Sequence, residues 1–347
     1  MRRPGRAAGL HPRRGRRPHD KHRTMTANIS FASASDTREQ KPQLRELAPD
    51  VYGYISDFDP NCGFVVGDEQ VVLIDTRPTP RMARDFLAAI RTVTDKPIKT
   101  IVLTHYHAVR VMGASAFGEV EAVIASRGTL DWIRTRGQAD FDSEVGRFPR
   151  LFAGVEEIPG LTFPTQSFER EMSLWLGPGQ GRELRLMALG RGHSSGDTVA
   201  WLPDCGVLFS GDVVENRCGV YAGDAYIGDW TGTLDAVRAL KPRVLVPGRG
   251  AVLQGEAECF EAIGLTQAFL QTLLDSVKAG IAAGETLKGC FARAEAAMAP
   301  RFGSWPVFQH VLPFDVSRTY DELRGIEHPV VWTAERDRAL WQTLRGE

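Results

Sequence analysis

The sequence contains no apolar stretch long enough to cross a membrane. Its apolar runs, such as residues 71–74 and 101–103, contain no more than five residues, whereas a membrane-spanning helix requires about 20. Short apolar runs of this kind are typical of buried strands. We therefore expect neither a membrane span nor a membrane partner.

Closely spaced cysteine pairs are also missing. The five cysteines are widely separated, odd in number and form no C-x-x-C pair. This pattern argues against a disulfide framework and against a cysteine-based metal or redox motif. It favours reduced, structural thiols and hence a cytoplasmic protein.

The amino-terminal segment lacks the apolar core of a secretory signal. Residues 1–24 hold nine Lys or Arg against one acid, which leaves 33 basic and 42 acidic residues in the rest of the chain. This basic arm has no interleaved aromatic residues and no helical period, so we expect no nucleic-acid partner. We predict a disordered leader over residues 1–45, with translation starting at Met25.

From about residue 46 the chain alternates between strand and helix signals, which predicts an α/β fold. Hydrophobic residues make up 43% of the sequence and charged residues 24%, as in ordinary globular proteins. The apolar pattern predicts strands at 51–55, 62–66, 71–75, 101–103, 123–125, 184–188, 198–202, 206–210 and 244–246, and helices at 82–93, 130–136, 231–240 and about 260–277. We expect one domain over 46–280 and a helical extension packed on it over 281–347.

Histidine is scarce, and three of the eight histidines lie in the predicted leader. His105 and His107 flank Tyr106 at the end of a predicted strand, where a period of two directs both imidazoles to the same side. His193 follows a glycine-rich turn, and Asp212 ends a further strand. These positions predict a group of nitrogen and oxygen ligands at strand ends.

Five short motifs occur in a characteristic order: Leu73-Ile74-Asp75, Thr104-His105-Tyr106-His107, Gly192-His193-Ser194, Ser210-Gly211-Asp212 and Pro247-Gly248-Arg249-Gly250. Each motif alone is weak evidence, but the ordered set resembles the metallo-β-lactamase superfamily over about residues 46–280. The resemblance implies an αββα sandwich, here with a C-terminal helical extension.

The resemblance also implies one intact metal site and one degenerate site. The first site would be formed by His105, His107 and His193, with Asp212 as a further ligand. Three neutral imidazole donors suit one tetrahedral zinc ion with water in the open position.

At the second site, three of four family ligands are replaced. Val109 stands at an aspartate position, and Arg110 and Arg249 stand at histidine positions.

The remaining site residues receive roles by the same resemblance. Asp212 is predicted to act as the catalytic base on metal-bound water, in addition to its place among the ligands. Asp75 and Asp197 are predicted to fix the ligand loops, although Asp197 is equally compatible with a simple turn.

Arg110 and Arg249, together with Tyr106, are predicted to bind substrate. A guanidinium pairs bidentately with an oxyanion, so the two arginines indicate an anionic or polarised small-molecule substrate. The alternative is that they only fill the vacated volume and pair with Asp212.

These observations favour a mononuclear zinc hydrolase that attacks an ester, lactone, amide or activated ether bond through metal-bound hydroxide. Two alternatives remain open at this stage. One is a mononuclear iron (Fe²⁺) dioxygenase resembling persulfide dioxygenases, with His105, His193 and Asp212 as ligands. The other is a non-catalytic ligand-binding or partner subunit of the same fold. Either a homo-oligomer or a hetero-oligomer is compatible with the sequence.

Overall fold

Two facing β-sheets form the centre of the structure, a computed structural model that describes residues 38–178 and 181–345. In the described part, the first sheet has seven strands in chain order: β1 (Gln43–Ala48), β2 (Val51–Ile55), β3 (Cys62–Val66), β4 (Val71–Ile74), β5 (Ile98–Val102), β6 (Ala122–Ser126) and β7 (Gln166–Phe168). Strands β1 to β4 form an antiparallel meander, and β4 to β7 run parallel.

The second sheet has six strands within the described ranges. They are β8 (Glu171–Trp175), β9 (Glu183–Met187), β10 (Val199–Leu202), β11 (Val207–Phe209), β12 (Val244–Val246) and β13 (Leu253–Gln254), in the spatial order β13-β12-β11-β10-β9-β8. All neighbours are antiparallel except β11 and β12, which are parallel.

Helices cover the outer faces of both sheets. The eight α-helices in the described ranges are α1 (Pro80–Arg91), α2 (Ala108–Val111), α3 (Arg127–Arg147), α4 (Ile227–Ala239), α5 (Glu256–Ala282), α6 (Leu287–Phe302), α7 (Phe308–Leu323) and α8 (Ala334–Arg345). The hydroxyls of Thr79 and Ser126 accept backbone N–H groups at the starts of α1 and α3. Such caps satisfy helix-terminal donors that would otherwise be unpaired.

Strand β4 shows how one sequence fills two apolar layers. Val72 and Ile74 point between the sheets, where they join an apolar cluster that includes Ala200 and Val207 of the second sheet. Val71 and Leu73 point outward into the cluster that contains residues of α1 and α3. The alternation follows from the two-residue period of a strand. Because both faces are covered, the predicted αββα sandwich is confirmed.

Helices α6 and α7 share their apolar core with the second sheet and with α4 and α5. Phe302 and Phe308 belong to the same buried cluster as Trp230, Ile263 and Leu245. The segment after residue 280 therefore packs on the sheet as an integral layer of the structure.

Strand β1 extends the first sheet into the segment predicted to be a leader. Gln43 pairs with Ile55, so residues 43–45 belong to the sheet and the predicted boundary at residue 45 is wrong. The strand lies at a sheet edge, and its side chains are exposed or half-exposed. Its sequence therefore lacks the apolar pattern that predicts a buried strand. Residues 1–37, including Met25, lie outside the described residues. None of the helices in the described ranges is long and apolar enough to cross a membrane.

Strand ends from both sheets meet at one edge of the sandwich. Thr198, next to β10, donates its backbone N–H to the carbonyl of Thr104 over 2.7 Å. Asn61, just before β3, donates its side-chain amide to the carbonyls of Pro247 and Gly250 over 3.0 and 2.8 Å. These bonds fix the loops that carry the motif residues of the two sheets against each other.

Candidate metal centre

Three imidazole rings converge at this edge. His105 and His107 follow β5, and their ring centroids lie 5.0 Å apart in perpendicular planes. The ring of His193, from the loop between β9 and β10, lies 4.7 Å from the first and 4.8 Å from the second. The sequence-based prediction that these histidines share one site agrees with this arrangement.

Asp212, which follows β11, completes a group of four buried donors. One donor atom from each of His105, His107, His193 and Asp212 lies within 4.8 Å of the others. His107 Nδ1 is 3.0 Å from His193 Nε2, and Asp212 Oδ2 is 3.6 and 3.7 Å from the Nε2 atoms of His105 and His193. Tetrahedral zinc ligands at their usual bond lengths lie about 3.3 Å apart. The four atoms therefore have the spacing of a single-ion site.

The outward nitrogen of each ring is hydrogen-bonded to protein. His105 Nδ1 lies 3.0 Å from the Thr104 hydroxyl, and His193 Nδ1 lies 2.9 Å from the Tyr221 carbonyl. His107 Nε2 lies 3.3 Å from Asp224 Oδ2. Metal-binding histidines are held in this way, with the free ring nitrogen directed at the ion.

His105 Nε2 is buried and has no hydrogen-bond partner among the described residues. A buried polar atom without a partner costs about 1–3 kcal/mol. The residues of the cluster therefore fit a metal cation, which would satisfy this nitrogen.

Burial and neighbouring charges shift the pKa values of the cluster residues in different directions. Burial holds the pKa of His105 well below its usual value and lowers that of His193 to about 3. Burial opposes ionisation of Asp212, yet Arg110 and the nearby His105 and His193 hold its pKa well below the ordinary range. Burial also disfavours the cationic form of His107, but Asp140 and Asp224 raise its pKa to about 9.

Arg110 occupies the inner side of the cluster, and both of its terminal nitrogens are bound by protein groups. Its Nη2 donates to Asp212 Oδ1 and to the Gly248 carbonyl, and its Nη1 donates to the Asn61 carbonyl. The residue is 1% exposed. Glycine is required at position 248, because a Cβ there would collide with Asp212 Oδ1. The geometry does not support the predicted substrate contact by Arg110, since its donors are directed at protein oxygens.

Arg249 differs from Arg110 in its surroundings. Its Nη1 lies 3.5 Å from Asp212 Oδ2 and 3.9 Å from Glu215 Oε1, and its side chain is 10% exposed. Among the described residues, no group accepts a hydrogen bond from its guanidinium. It also borders the cavity beside the cluster.

Asp75 and Asp197 hold ligand loops through neighbouring groups. Asp75 accepts hydrogen bonds from the backbone N–H and hydroxyl of Thr104 over 2.9 and 2.8 Å, and that hydroxyl faces His105. Asp197 accepts the backbone N–H and hydroxyl of Ser194 over 2.9 and 2.5 Å. Burial raises the pKa of Asp75 to about 6 and that of Asp197 to about 7. Neither carboxylate bonds directly to a ligand imidazole; each acts on the loop that carries one.

Tyr106 lies in the apolar core and does not border the cavity. Its ring packs edge-on against Trp132 at 4.9 Å and lies 4.3 Å from the ring of His107. The three residues lie in the loop that follows β5, and there the side chain of Tyr106 enters the core while the two histidines face the cluster. The predicted substrate contact by Tyr106 is therefore not supported.

Sequence reasoning missed the carboxylates behind His107. Asp224 lies 3.3 Å from His107 Nε2 and also accepts the Tyr221 hydroxyl over 3.2 Å. Asp140 Oδ1 lies 3.8 Å from the same nitrogen, while its other oxygen accepts the N–H of Ala108. Neither aspartate lies in a recognisable sequence motif. The one available signal was general: ligand histidines often bond to a carboxylate, but this preference does not say which aspartate is the partner.

Comparisons with known proteins agree with this geometry. Residues 55–249 match the model of the metallo-beta-lactamase superfamily. The linear primary-alkylsulfatase of Pseudomonas sp. (strain ATCC 19151) is 27% identical over 237 residues, 57% of this chain and 43% of that protein. The metallo-beta-lactamase type 2 of Bacteroides fragilis is 25% identical over 223 residues, 60% of this chain and 78% of that enzyme.

A similar fold is found in the solved structure of the stereoselective inverting sec-alkylsulfatase Pisa1 from Pseudomonas sp. The TM-score is 0.62 at 18% identity, with 82% of this chain and 50% of that chain covered. This chain thus spans about half the length of both alkylsulfatases. The family match covers more than half of the sequence and includes every motif residue from Asp75 to Arg249. The chain belongs to the metallo-beta-lactamase superfamily.

Proposed function

We propose that this chain is a hydrolase that uses one metal ion held by His105, His107, His193 and Asp212. The supporting observation is the orientation of the three buried imidazoles, each hydrogen-bonded on its outer nitrogen with its inner nitrogen facing the cluster. A predominantly imidazole site suits zinc. When bound, the ion would supply Lewis-acid activation of water near neutral pH.

The two oxygens of Asp212 have different tasks in this proposal. Oδ1 accepts a hydrogen bond from Arg110 and is thereby fixed. Oδ2 is directed at the Nε2 atoms of His105 and His193 and is the oxygen available to the metal. We therefore favour a ligand role for Asp212 over the role of a base.

Arg249 is the residue that we assign to the substrate. Its guanidinium borders the cavity beside His107 and Asp212, and its contacts with Asp212 and Glu215 are ion pairs of 3.5 and 3.9 Å. A planar guanidinium binds carboxylate, phosphate or a similar oxyanion through two parallel bonds. The bond cleaved would be an ester, lactone, amide or activated ether, and sulfate esters are included because two relatives are named alkylsulfatases.

One observation favours an iron dioxygenase as a second candidate. Asp212 Oδ2 is almost equidistant from His105 and His193, as in a two-histidine, one-carboxylate iron site. Against this candidate, His107 Nδ1 lies 3.0 Å from His193 Nε2 and adds a third nitrogen donor. We therefore rank the zinc hydrolase first.

Metal analysis combined with a chelation assay tests the proposal. The full chain should contain about one zinc ion and should hydrolyse 4-nitrophenyl acetate or 4-nitrophenyl sulfate. A chelator should abolish the activity, and added Zn²⁺ should restore it. One iron ion per chain would favour the dioxygenase. Failure to bind any metal would favour a ligand-binding subunit, and either result would contradict the proposal.

A further inference from the structure

The cavity beside the candidate metal centre has walls of two kinds. The space open to the centre of a water-sized group is about 20 Å³, so the cavity is small. His107, Asp212 and Arg249 border it on the side of the cluster. The rest of the wall is mixed, with Glu144, Arg147 and Tyr221 as polar members. Its apolar members are Val109, Phe148, Val307 and Val311. A polar end joined to an apolar wall is the usual character of a small-ligand site.

The C-terminal segment supplies two of these apolar side chains. Val307 immediately precedes α7, and Val311 lies in its first turn. Both positions fall outside residues 55–249, the part of the chain that matches the family model. This part of the wall therefore belongs to the C-terminal segment, outside the region that the family model describes.

Val307 has an unfavourable backbone conformation. Its φ is 58°, in the left-handed region, which is an outlier for a β-branched residue. Such strain costs about 1–3 kcal/mol and persists only where the surroundings impose it. Here the N–H of Gly219 donates to the Pro306 carbonyl over 2.8 Å. A Cβ at position 219 would lie 2.9 Å from the backbone of Phe308, so the two segments are locked in close contact.

We propose that Val307 and Val311 determine substrate specificity, and that the site accepts an oxyanion attached to a short aliphatic group. The oxyanion would bind Arg249, and the aliphatic group would pack against the two valines and Val109. The group must be short because α7 closes the cavity on this side. The inference rests on the proposed function for the identity of the site, but its test measures binding and requires no turnover.

Calorimetric titration of the metal-loaded full chain with acetate, propionate, butyrate, hexanoate and octanoate tests the proposal. Affinity should rise by about fourfold for each methylene group that is buried, reach a maximum at the short acids, and fall by octanoate. Val311→Ala should move the maximum to a longer acid. Val307→Gly should do the same, because glycine adopts a positive φ without strain.

Two controls separate specificity from other effects. Arg249→Met should weaken binding of every acid by roughly tenfold or more without moving the maximum. Val330→Ala, at a site that is 46% exposed, should leave the whole profile unchanged. An unshifted maximum in both valine variants, or no binding of any acid, would overturn the proposal. If the acids bind as expected while no ester is hydrolysed, the proposed function fails and the specificity inference stands.

Discussion

The histidine side and the arginine side of the site satisfy their polar groups in opposite ways. On the histidine side, the inner nitrogens of His105, His107 and His193 face one another, and His105 Nε2 has no partner among the described residues. On the arginine side, Arg110 donates to Asp212 and to two backbone carbonyls. The first side is suited to a cation from solution, whereas the second already holds the positive charge of the Arg110 side chain.

Under the proposed function with one metal ion, Arg110 supplies positive charge beside Asp212 where the resemblance places a second ion. A buried carboxylate such as Asp212 is costly unless a positive charge accompanies it. Arg110 provides that charge permanently. Removal of a metal ligand, of Arg110 or of a group that orients an imidazole tests this difference between the two sides.

The largest effect is expected on the histidine side. His193→Ala removes one of three nitrogen ligands, so stoichiometric metal binding should be lost while the chain remains folded. Metal content after gel filtration measures this, and circular dichroism checks the fold. His328→Ala is the matched control, because His328 is exposed and contacts Tyr226 away from the ligand cluster. Equal metal content in both variants would show that His193 is not a ligand.

The next largest effect is expected on the arginine side. Arg110→Met leaves Asp212 buried beside an apolar side chain, and breaking a buried ion pair costs about 3–5 kcal/mol. Denaturant unfolding of the metal-free protein measures this loss. The control is Arg182→Met, which removes a 2.8 Å ion pair with Asp204 at the surface; the two side chains are 22% and 44% exposed. Loss of this exposed pair should lower the free energy of unfolding by no more than about 1 kcal/mol. Equal stability of the two variants would contradict a structural role for Arg110.

A smaller effect is expected for the carboxylate behind His107. Asp224→Asn keeps the size of the side chain but removes the charge that faces His107 Nε2. Loss of such a partner typically lowers metal affinity by about 10- to 100-fold. Competition with a chromophoric chelator measures the affinity, and Tyr221→Phe, which removes one hydroxyl bonded to Asp224, should have a smaller effect. Unchanged affinity in Asp224→Asn would show that Asp224 does not orient His107.

The sequence predicts the fold best where strands are buried on both faces. Strands such as β4 and β12 are short apolar runs and are recovered from the pattern alone. The edge strand β8 is partly exposed and escapes prediction. Helix α3 is predicted over 130–136 but extends over Arg127–Arg147. The prediction is too short because Asp140, Glu144 and Arg147 are polar residues at buried positions, where they interrupt the apolar period.

The same limit applies to the site. Motif order brings His105, His107, His193 and Asp212 together. The surroundings of Arg110, in contrast, depend on Asn61 and Gly248, which are distant from it in the sequence. Pattern alone therefore assigns both arginines to substrate. The structure separates them, since only Arg249 borders the cavity.

The shared core of the C-terminal helices sets a lower limit on any fragment made for expression. Phe269 of α5 packs against Phe302 and Trp305, with ring centroids 5.2 and 6.1 Å apart. A fragment ending at Ala282 would expose this aromatic cluster as an apolar patch, and such patches promote aggregation. Shortening the chain to the part that matches the family model would therefore remove helices that share the buried core of the second sheet.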